Sequence, residues 1–289
     1  MLDEMRTFVL LAEEGSIQKV AERLPLTQPA VTRQIQRLEQ ELGVALLDRR
    51  LKPSGLTPAG VEALACCREI LAAYAGMKNR MGRSEPEGRL RLGVANGLAD
   101  DGLARIVKDL RRRFPRVSIL LTTGWSDDLA ERFRRGWLDA AILLSGEAAA
   151  DGPGPLGHER LAVIASSRSV AKGRGLSDDL GRQAWILSPE PCDARRRLAV
   201  EVARHGGRLD LAAEVQDARL QLALVKEGVG WSLMPRRLLA RTRPAGIVEV
   251  EVKGLDLVLT VTVQRSPYLQ GMAKVVDAIV AGVRASLSD

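Results

Sequence analysis

Histidine is almost absent from this 289-residue chain, where only His158 and His205 occur. Two isolated imidazoles supply neither the ligand spacing of a metal site nor the base of a nucleophilic triad, so no metal and no cofactor is expected. Cysteine is nearly as scarce, with Cys66 and Cys67 adjacent and Cys192 alone in the last two-thirds. That excludes a disulfide framework and predicts small buried thiols in a reducing compartment. Cys192 is the one candidate nucleophile, and no base is paired with it. No apolar run approaches the ~18–20 residues that span a bilayer. The opening Met1-Leu2-Asp3-Glu4 puts acids where a secretory signal wants positive charge, so no membrane partner and a cytoplasmic location are expected. Gly228-Val229-Gly230 lacks the third glycine of a dinucleotide loop and reads as a tight helix-to-strand turn. There is no internal repeat and no low-complexity segment.

Charge is plentiful but does not locate a function. The net +7 suggests an anionic partner, yet residues 1–88 balance at 12 Lys/Arg against 12 Asp/Glu, and residues 89–289 hold the excess, 31 against 24. What matters is where individual charges point. Arg111-Arg112-Arg113 and Arg195-Arg196-Arg197 read as solvated helix faces that either could bring near bent DNA.

Met5, Phe8, Val9 and Ala12 give the first amphipathic helix, which Gly15 ends. Ser16 is a good N-cap for a second, with Ile17, Val20, Ala21 and Leu24 inward. Pro25-Leu26 breaks it, and Thr27 caps a third with Pro29 in its first turn. Val31, Ile35, Leu38 and Leu42 form the inward stripe there, and Gly43 suits a left-handed C-terminal turn. Residues 46–57 read as a hairpin with Pro53-Ser54-Gly55 at its tip. Thr57 and Pro58 then start a long helix. In it Leu64, Cys67, Leu71, Tyr74 and Met81, with Lys78 at the intervening step, approximate a 3-4 repeat. Such a seam wants a partner helix, so a homodimer through this linker is expected. Residues 82–88 form a polar, breaker-rich hinge.

Beyond the hinge, strand-like runs at 90–94, 117–122, 140–144, 161–165, 185–187, 231–234 and 257–263 alternate with helical stretches near 103–113, 127–135, 193–205, 218–226 and 269–286. This alternation implies parallel sheet covered by helices on both faces. About 200 residues suit two small α/β lobes, with the stretches at 152–157 and 265–267 as crossings between them.

The pair of helices joined by Pro25-Leu26-Thr27 is the first constellation with chemistry. In a helix-turn-helix the start of the second helix enters the major groove, and its outward residues here are Gln28, Thr32, Arg33, Gln36 and Arg37. Gln can read adenine and Arg guanine through paired hydrogen bonds, while Pro29 and the Thr32 methyl can touch a thymine methyl. The alternative is a three-helix bundle with a solvated face. The hairpin carries Arg49, Arg50 and Lys52 against Asp48 alone, a basic wing able to reach the phosphate backbone or the minor groove.

Residues 1–60 resemble the winged helix-turn-helix of LysR-type transcriptional regulators. The resemblance is carried by Phe8, Gly15-Ser16, Ala21-Glu22-Arg23-Leu24, the nine residues from Thr27 to Ile35, the seven from Arg37 to Gly43, Leu46-Leu47-Asp48-Arg49 and Leu56-Thr57-Pro58-Ala59-Gly60. Leu47 stands where the family usually has Phe, Val20 where it has Ala, and Thr32 where it has Ser. The rest of the chain matches more loosely. The resemblance implies a mixed architecture: a winged helix-turn-helix over residues 1–60, a linker helix and hinge over 58–88, and an α/β effector domain over 89–289 like type 2 periplasmic binding proteins, with lobe I at about 89–158 and 266–289 and lobe II at about 159–265. It implies Gln28, Pro29, Thr32 and Arg33 as groove contacts and Arg49 and Lys52 on the wing. It further implies double-stranded promoter DNA as partner, a small-molecule effector between the lobes, tetramers, and contact with RNA polymerase.

In parallel α/β lobes, ligands sit beyond the carboxyl ends of strands. The candidate effector residues at those ends are Asn96, Gly97, Leu98, Thr123, Gly124, Ser145, Ser188 and Asp217. Ser126, before Asp127 and Asp128, reads as a helix N-cap. Asp100 and Asp101, close to the first strand end, disfavour a purely anionic ligand unless they point outward. The competing reading is a solute-binding protein or an enzyme on the same two-lobed scaffold. A missing signal peptide opposes the first, and the lack of a paired acid/base, nucleophile or metal constellation opposes the second. An architectural DNA protein would not need the α/β region.

Overall fold

The computed structural model describes residues 1–24, 26–48, 55–81, 85–146, 154–171, 180–267 and 269–288. Three helices open the chain: α1 (Leu2–Glu14), α2 (Ile17–Arg23) and α3 (Gln28–Leu42). They enclose Phe8, Val20, Val31, Ile35 and Leu38, each at 2% exposure or less. The Thr27 hydroxyl accepts from the Ala30 N–H, and Gly43 closes α3 at φ 68°, a left-handed turn that glycine adopts without a Cβ penalty. Leu42 departs from the expected stripe. It is 44% exposed, because α3 outruns the bundle by its last turn, and fully buried Leu46 fills the core in its place.

The wing is a two-stranded antiparallel ladder, β1 (Leu47–Asp48) with β2 (Gly55–Leu56), pairing Leu47 with Leu56 and Asp48 with Gly55. Its tip, with Arg49, Arg50, Lys52, Pro53 and Ser54, lies outside the described residues. The Glu39 carboxylate of α3 accepts from the N–H groups of Leu46 (2.9 Å) and Leu47 (3.2 Å), so the wing's root is fastened to α3. Thr57 caps α4 (Pro58–Met81), its hydroxyl accepting from Gly60 N–H at 2.9 Å. A Cβ at Gly60 would overlap the Leu46 carbonyl oxygen, so the wing root and α4 meet at a distance only glycine permits.

The expected linker seam is largely spent within the subunit. Leu64 and Cys67 are buried with α1, and Leu71 packs against the same core. Burial pushes the Cys67 thiol up to about 11. Among the described residues, the large apolar side chains that α4 exposes are instead Ile70 and Met77.

The α/β region begins with β3 (Gly88–Ala95), followed by α5 (Asp101–Arg113), β4 (Val117–Gly124), α6 (Ser126–Arg134) and β5 (Ala140–Ser145). β3 runs parallel to both β4 and β5. Two long strands then link the halves. β6 (Gly157–Ser166) and β11 (Leu257–Arg265) pair antiparallel, β11 continues along β5, and β6 continues between β9 (Ser232–Pro235) and β10 (Ile247–Val250). Among the described residues the sheet order is β10-β6-β11-β5-β3-β4, with β9 on β6. The sheet is therefore mixed, whereas the alternation of elements pointed to parallel pairing throughout.

A separate parallel pair is formed by β7 (Ala184–Leu187) and β8 (Asp210–Glu214); α7 (Ser167–Ala171), α9 (Ala218–Lys226) and α10 (Arg236–Thr242) pack on β6, and α8 (Asp193–Arg204) packs on β11. α11 (Ala273–Ser288) returns to pack on α5. The β5 run is buried along five of its six residues, as expected for a strand covered on both faces. β11 alternates instead, with Leu257, Leu259, Val261 and Val263 inward. β8, β10, α7 and α10 gave no signal in the sequence. The first two are short and partly exposed at sheet margins, where no apolar run is required.

Charge fastens the N-terminal helices to the α/β region. Arg68 of α4 donates to the Gly136 carbonyl (2.7 Å) and to Glu13 of α1 (3.2 Å), while Arg91 of β3 chelates Asp139.

Candidate functional sites

On α3 the inward residues Val31, Ile35 and Leu38 fix the helix orientation, which leaves Gln28, Pro29, Arg33, Gln36 and Arg37 exposed and Thr32 half-buried. The Thr32 hydroxyl donates to the Gln28 carbonyl (3.1 Å) and Arg33 Nε to the Pro29 carbonyl (3.3 Å). Both bonds lie along the first turn and hold the polar side chains at the helix start. The surface these residues form is cationic through Arg33 and Arg37 and carries amide donors and acceptors between them. That is the composition base-edge readout requires.

The second site is a cavity of about 250 Å³ beside β6 and β11. Its walls come from several strand ends: Asn96 and Gly97 after β3, Gly124 through Ser126 where β4 passes into α6, and Ser188 after β7. Leu144, Leu161, Leu187, Leu233 and Leu259 make the rest largely apolar. Of the eight residues expected there, Asn96, Gly97, Gly124 and Ser188 line it. Leu98 is buried in the core, Thr123 is exposed, Ser145 lines a neighbouring groove, and Asp217 caps α9 through Leu220 N–H at 2.8 Å.

Asp100, expected close to the first strand end, lines the cavity, and the residues not foreseen around it are mainly charged. Arg237 of α10 bonds to Asp100 and places Nε 2.6 Å from Glu159, with Arg241 3.6 Å from Asp100. Burial pushes the Glu159 carboxyl up against the pull of Arg237. Burial acts the same way on Asp100, but bonds from Arg237 and Gly102 N–H outweigh it and hold that carboxyl below its usual range. Ser126 is not the N-cap. Trp125 takes that position without a side-chain bond, and the Ser126 hydroxyl accepts from Leu144 N–H (3.0 Å) and bonds to Asp193 on α8.

The 195–197 arginine run is not a free solvated face. Arg195 bonds to Glu214 and lies 3.3 Å from Glu190, Arg196 reaches Asp127 and Asp193 at 3.1 Å each, and Arg197 bonds to Glu201. The 111–113 run on α5 is exposed as expected. Cys192 lines the cavity, and burial pushes its thiol up, away from the thiolate that nucleophilic chemistry needs. His205 stands at the other end of α8, its Nδ1 2.9 Å from the Glu201 carbonyl. His158 is exposed on β6.

Residues 2–61 match the bacterial regulatory helix-turn-helix family of the LysR type, and residues 83–273 match the LysR substrate-binding domain. The chain belongs to the LysR family. It is a transcriptional regulator joining a DNA-binding helix-turn-helix to an effector-binding α/β domain. Among LysR relatives it is similar to the HTH-type transcriptional regulator BenM of Acinetobacter baylyi, at 31% identity over 81% of this chain and 80% of BenM. Its fold is similar to full-length OxyR from Pseudomonas aeruginosa, with TM-score 0.79 and 22% identity over 98% of this chain and 94% of that one. CbnR solved with its target DNA is also similar, with TM-score 0.60 and 24% identity over 99% of each chain. No helix among the described residues is long and apolar enough to cross a membrane.

Proposed function

We propose that α3 reads a promoter half-site in the major groove through Gln28, Pro29, Thr32, Arg33 and Arg37, with Arg49, Arg50 and Lys52 of the wing on the backbone, and that a small molecule in the cavity beside β6 and β11 tunes that binding. The observation that carries the reading is the two-faced α3: a fully buried apolar stripe opposite an exposed Gln/Pro/Arg surface at the helix start. The division it implies is residues 1–60 for DNA, 58–88 for the linker and 89–289 for the effector, with lobes near 89–158 plus 266–289 and 159–265. The protein acts in the cytoplasm by binding, without turnover. The similar fold of CbnR, solved in complex with its target DNA, supports the DNA role.

Arg33→Ala is expected to weaken binding to the cognate site by about 1–3 kcal/mol and to relax selection at one base pair. Competition gel shifts at fixed salt measure this, and an unchanged preference removes Arg33 from the base-reading set.

The working unit is a homodimer, and two dimers form a tetramer able to meet RNA polymerase. Because Leu64 and Cys67 are occupied within the subunit, the partner surface falls on the exposed pair Ile70 and Met77, one heptad apart and 44% and 45% exposed. Ile70→Glu should convert the dimer to monomer in light scattering, since a desolvated carboxylate in a helical seam is strongly unfavourable. A dimer persisting in that variant places the interface elsewhere.

A further inference from the structure

The cavity read above as the effector site has a definite charge sense, and the inference from it rests on that reading. Around it, arginines are repeatedly shared between two carboxylates. Arg195 serves Glu190 and Glu214, Arg196 serves Asp127 and Asp193, and Arg237 serves Asp100 and Glu159. Arg241 adds a fourth cation 3.6 Å from Asp100, so four guanidiniums face six carboxylates. Of these groups Asp100, Glu159, Asp193 and Arg195 line the cavity directly, three acids against one cation that is already paired twice. A carboxylate ligand entering here would find no uncommitted cation among the described lining residues; Asp100 and Glu159 are matched by Arg237 and Arg241, and the excess negative charge sits with Asp193 and the half-exposed Glu190, Glu214 and Asp127.

Asp193 is the acid best placed to meet a ligand. Its side chain is only 12% exposed at the start of α8, the Ser126 hydroxyl orients it, and its partner Arg196 is 45% exposed and divided with Asp127. Burial pushes its carboxyl up, against the pull of the Ser126 hydroxyl and Arg196. The remaining walls offer Leu144, Leu161, Leu187, Leu233 and Leu259, suited to a hydrocarbon body.

We infer that the cavity takes a small amphiphilic cation, an apolar body bearing a protonated amine, with Asp193 as its counter-ion. A buried ammonium beside Asp193 compensates the carboxylate, and the hydrocarbon body is removed from water against the leucines. Asn96, Ser188 and Gln216 offer further hydrogen-bond groups.

The test uses the full-length protein with three matched probes: phenethylamine, phenylpropanoate and phenethyl alcohol, with hexylamine, heptanoate and hexanol as an aliphatic set. Thermal shift and quenching of Trp125, which lines the cavity, report binding. The amines are expected to raise the melting temperature and quench the tryptophan, with the carboxylates inert. Carboxylates binding more tightly than amines would overturn the charge assignment while leaving the cavity as the effector site. No response to any series overturns both. Asp193→Asn should lower amine affinity at least tenfold and leave the alcohols unchanged, and equal amine affinity in that variant removes Asp193 as the counter-ion. Should the variant not fold, the amine-to-carboxylate comparison on the unaltered protein decides the assignment.

Discussion

Arg237→Ala is expected to destabilise the effector domain by about 3–5 kcal/mol, the cost of removing one partner from a buried ion pair. Arg237, Asp100 and Glu159 are 13%, 10% and 2% exposed at their side chains, so alanine would leave Glu159 without its cation and Asp100 with only Arg241 and the Gly102 N–H. Urea denaturation should show the loss as a lower midpoint with unchanged slope. The combination Arg237→Met, Glu159→Leu, Asp100→Asn should recover most of it, because an apolar replacement of the whole cluster leaves no orphan charge. A loss below about 1 kcal/mol for the single variant would mean that the cluster is hydrated. The acid limb of the wild type carries the same information. Asp100, held low in the folded state, contributes stability that is complete above its unfolded value near ~4 and is lost as pH falls through the folded value. Glu159, held high by burial, works the other way: its contribution is present at low pH and fades as pH rises through its folded value.

Trp185→Ala should cost a comparable ~3–5 kcal/mol, the range for truncating a fully buried large aromatic. Trp185 has no exposed surface, stands edge-on to Trp231 with centroids 6.0 Å apart at 82°, and donates its Nε1–H to the Leu180 carbonyl at 3.0 Å. These contacts join β7 to the chain leading into β9, so the cavity left by alanine would open the wall that carries Leu187 and Ser188. Trp185→Phe keeps the edge-to-face contact and orphans the Leu180 carbonyl, and about 1–3 kcal/mol is expected. Equal losses for the two variants would assign the whole effect to the hydrogen bond.

The N-terminal part was legible because its determinants are local. The stripe of Val31, Ile35 and Leu38, the Thr27 cap and the Gly43 turn each lie within one helix length, and all three appear as read. Leu42 and Leu46 were exchanged because periodicity does not say where a bundle stops. In the α/β region the strand runs were visible, but pairing was not. That β6 meets β11 depends on residues about a hundred positions apart, and no local pattern encodes it. The cleft shows the same division. Asn96, Gly97, Gly124 and Ser188 followed from the rule of strand ends, while Thr123, one step from Gly124, alternates to the outside of the sheet. The long-range pairing of the ionic wall was hidden. Arg237 and Asp100 are 137 residues apart and Arg196 and Asp127 are 69 apart, so the 195–197 run could be recognised only as charge. Asp193 and Glu201 lie on the same helix, but Asp127, Glu190 and Glu214 come from outside it.

Sequence-selective DNA binding through α3 is tested most directly by selection. Purified full-length protein is mixed with random fragments of the chromosome that encodes it at physiological salt, and the retained fragments are sequenced for wild type and for Arg33→Ala. The expected result is enrichment of a two-fold symmetric motif with half-sites about one helical turn or a multiple apart, blurred at one position per half-site in the variant. Retention without any common motif, or a motif that Arg33→Ala leaves intact together with its affinity, would contradict a base-reading α3.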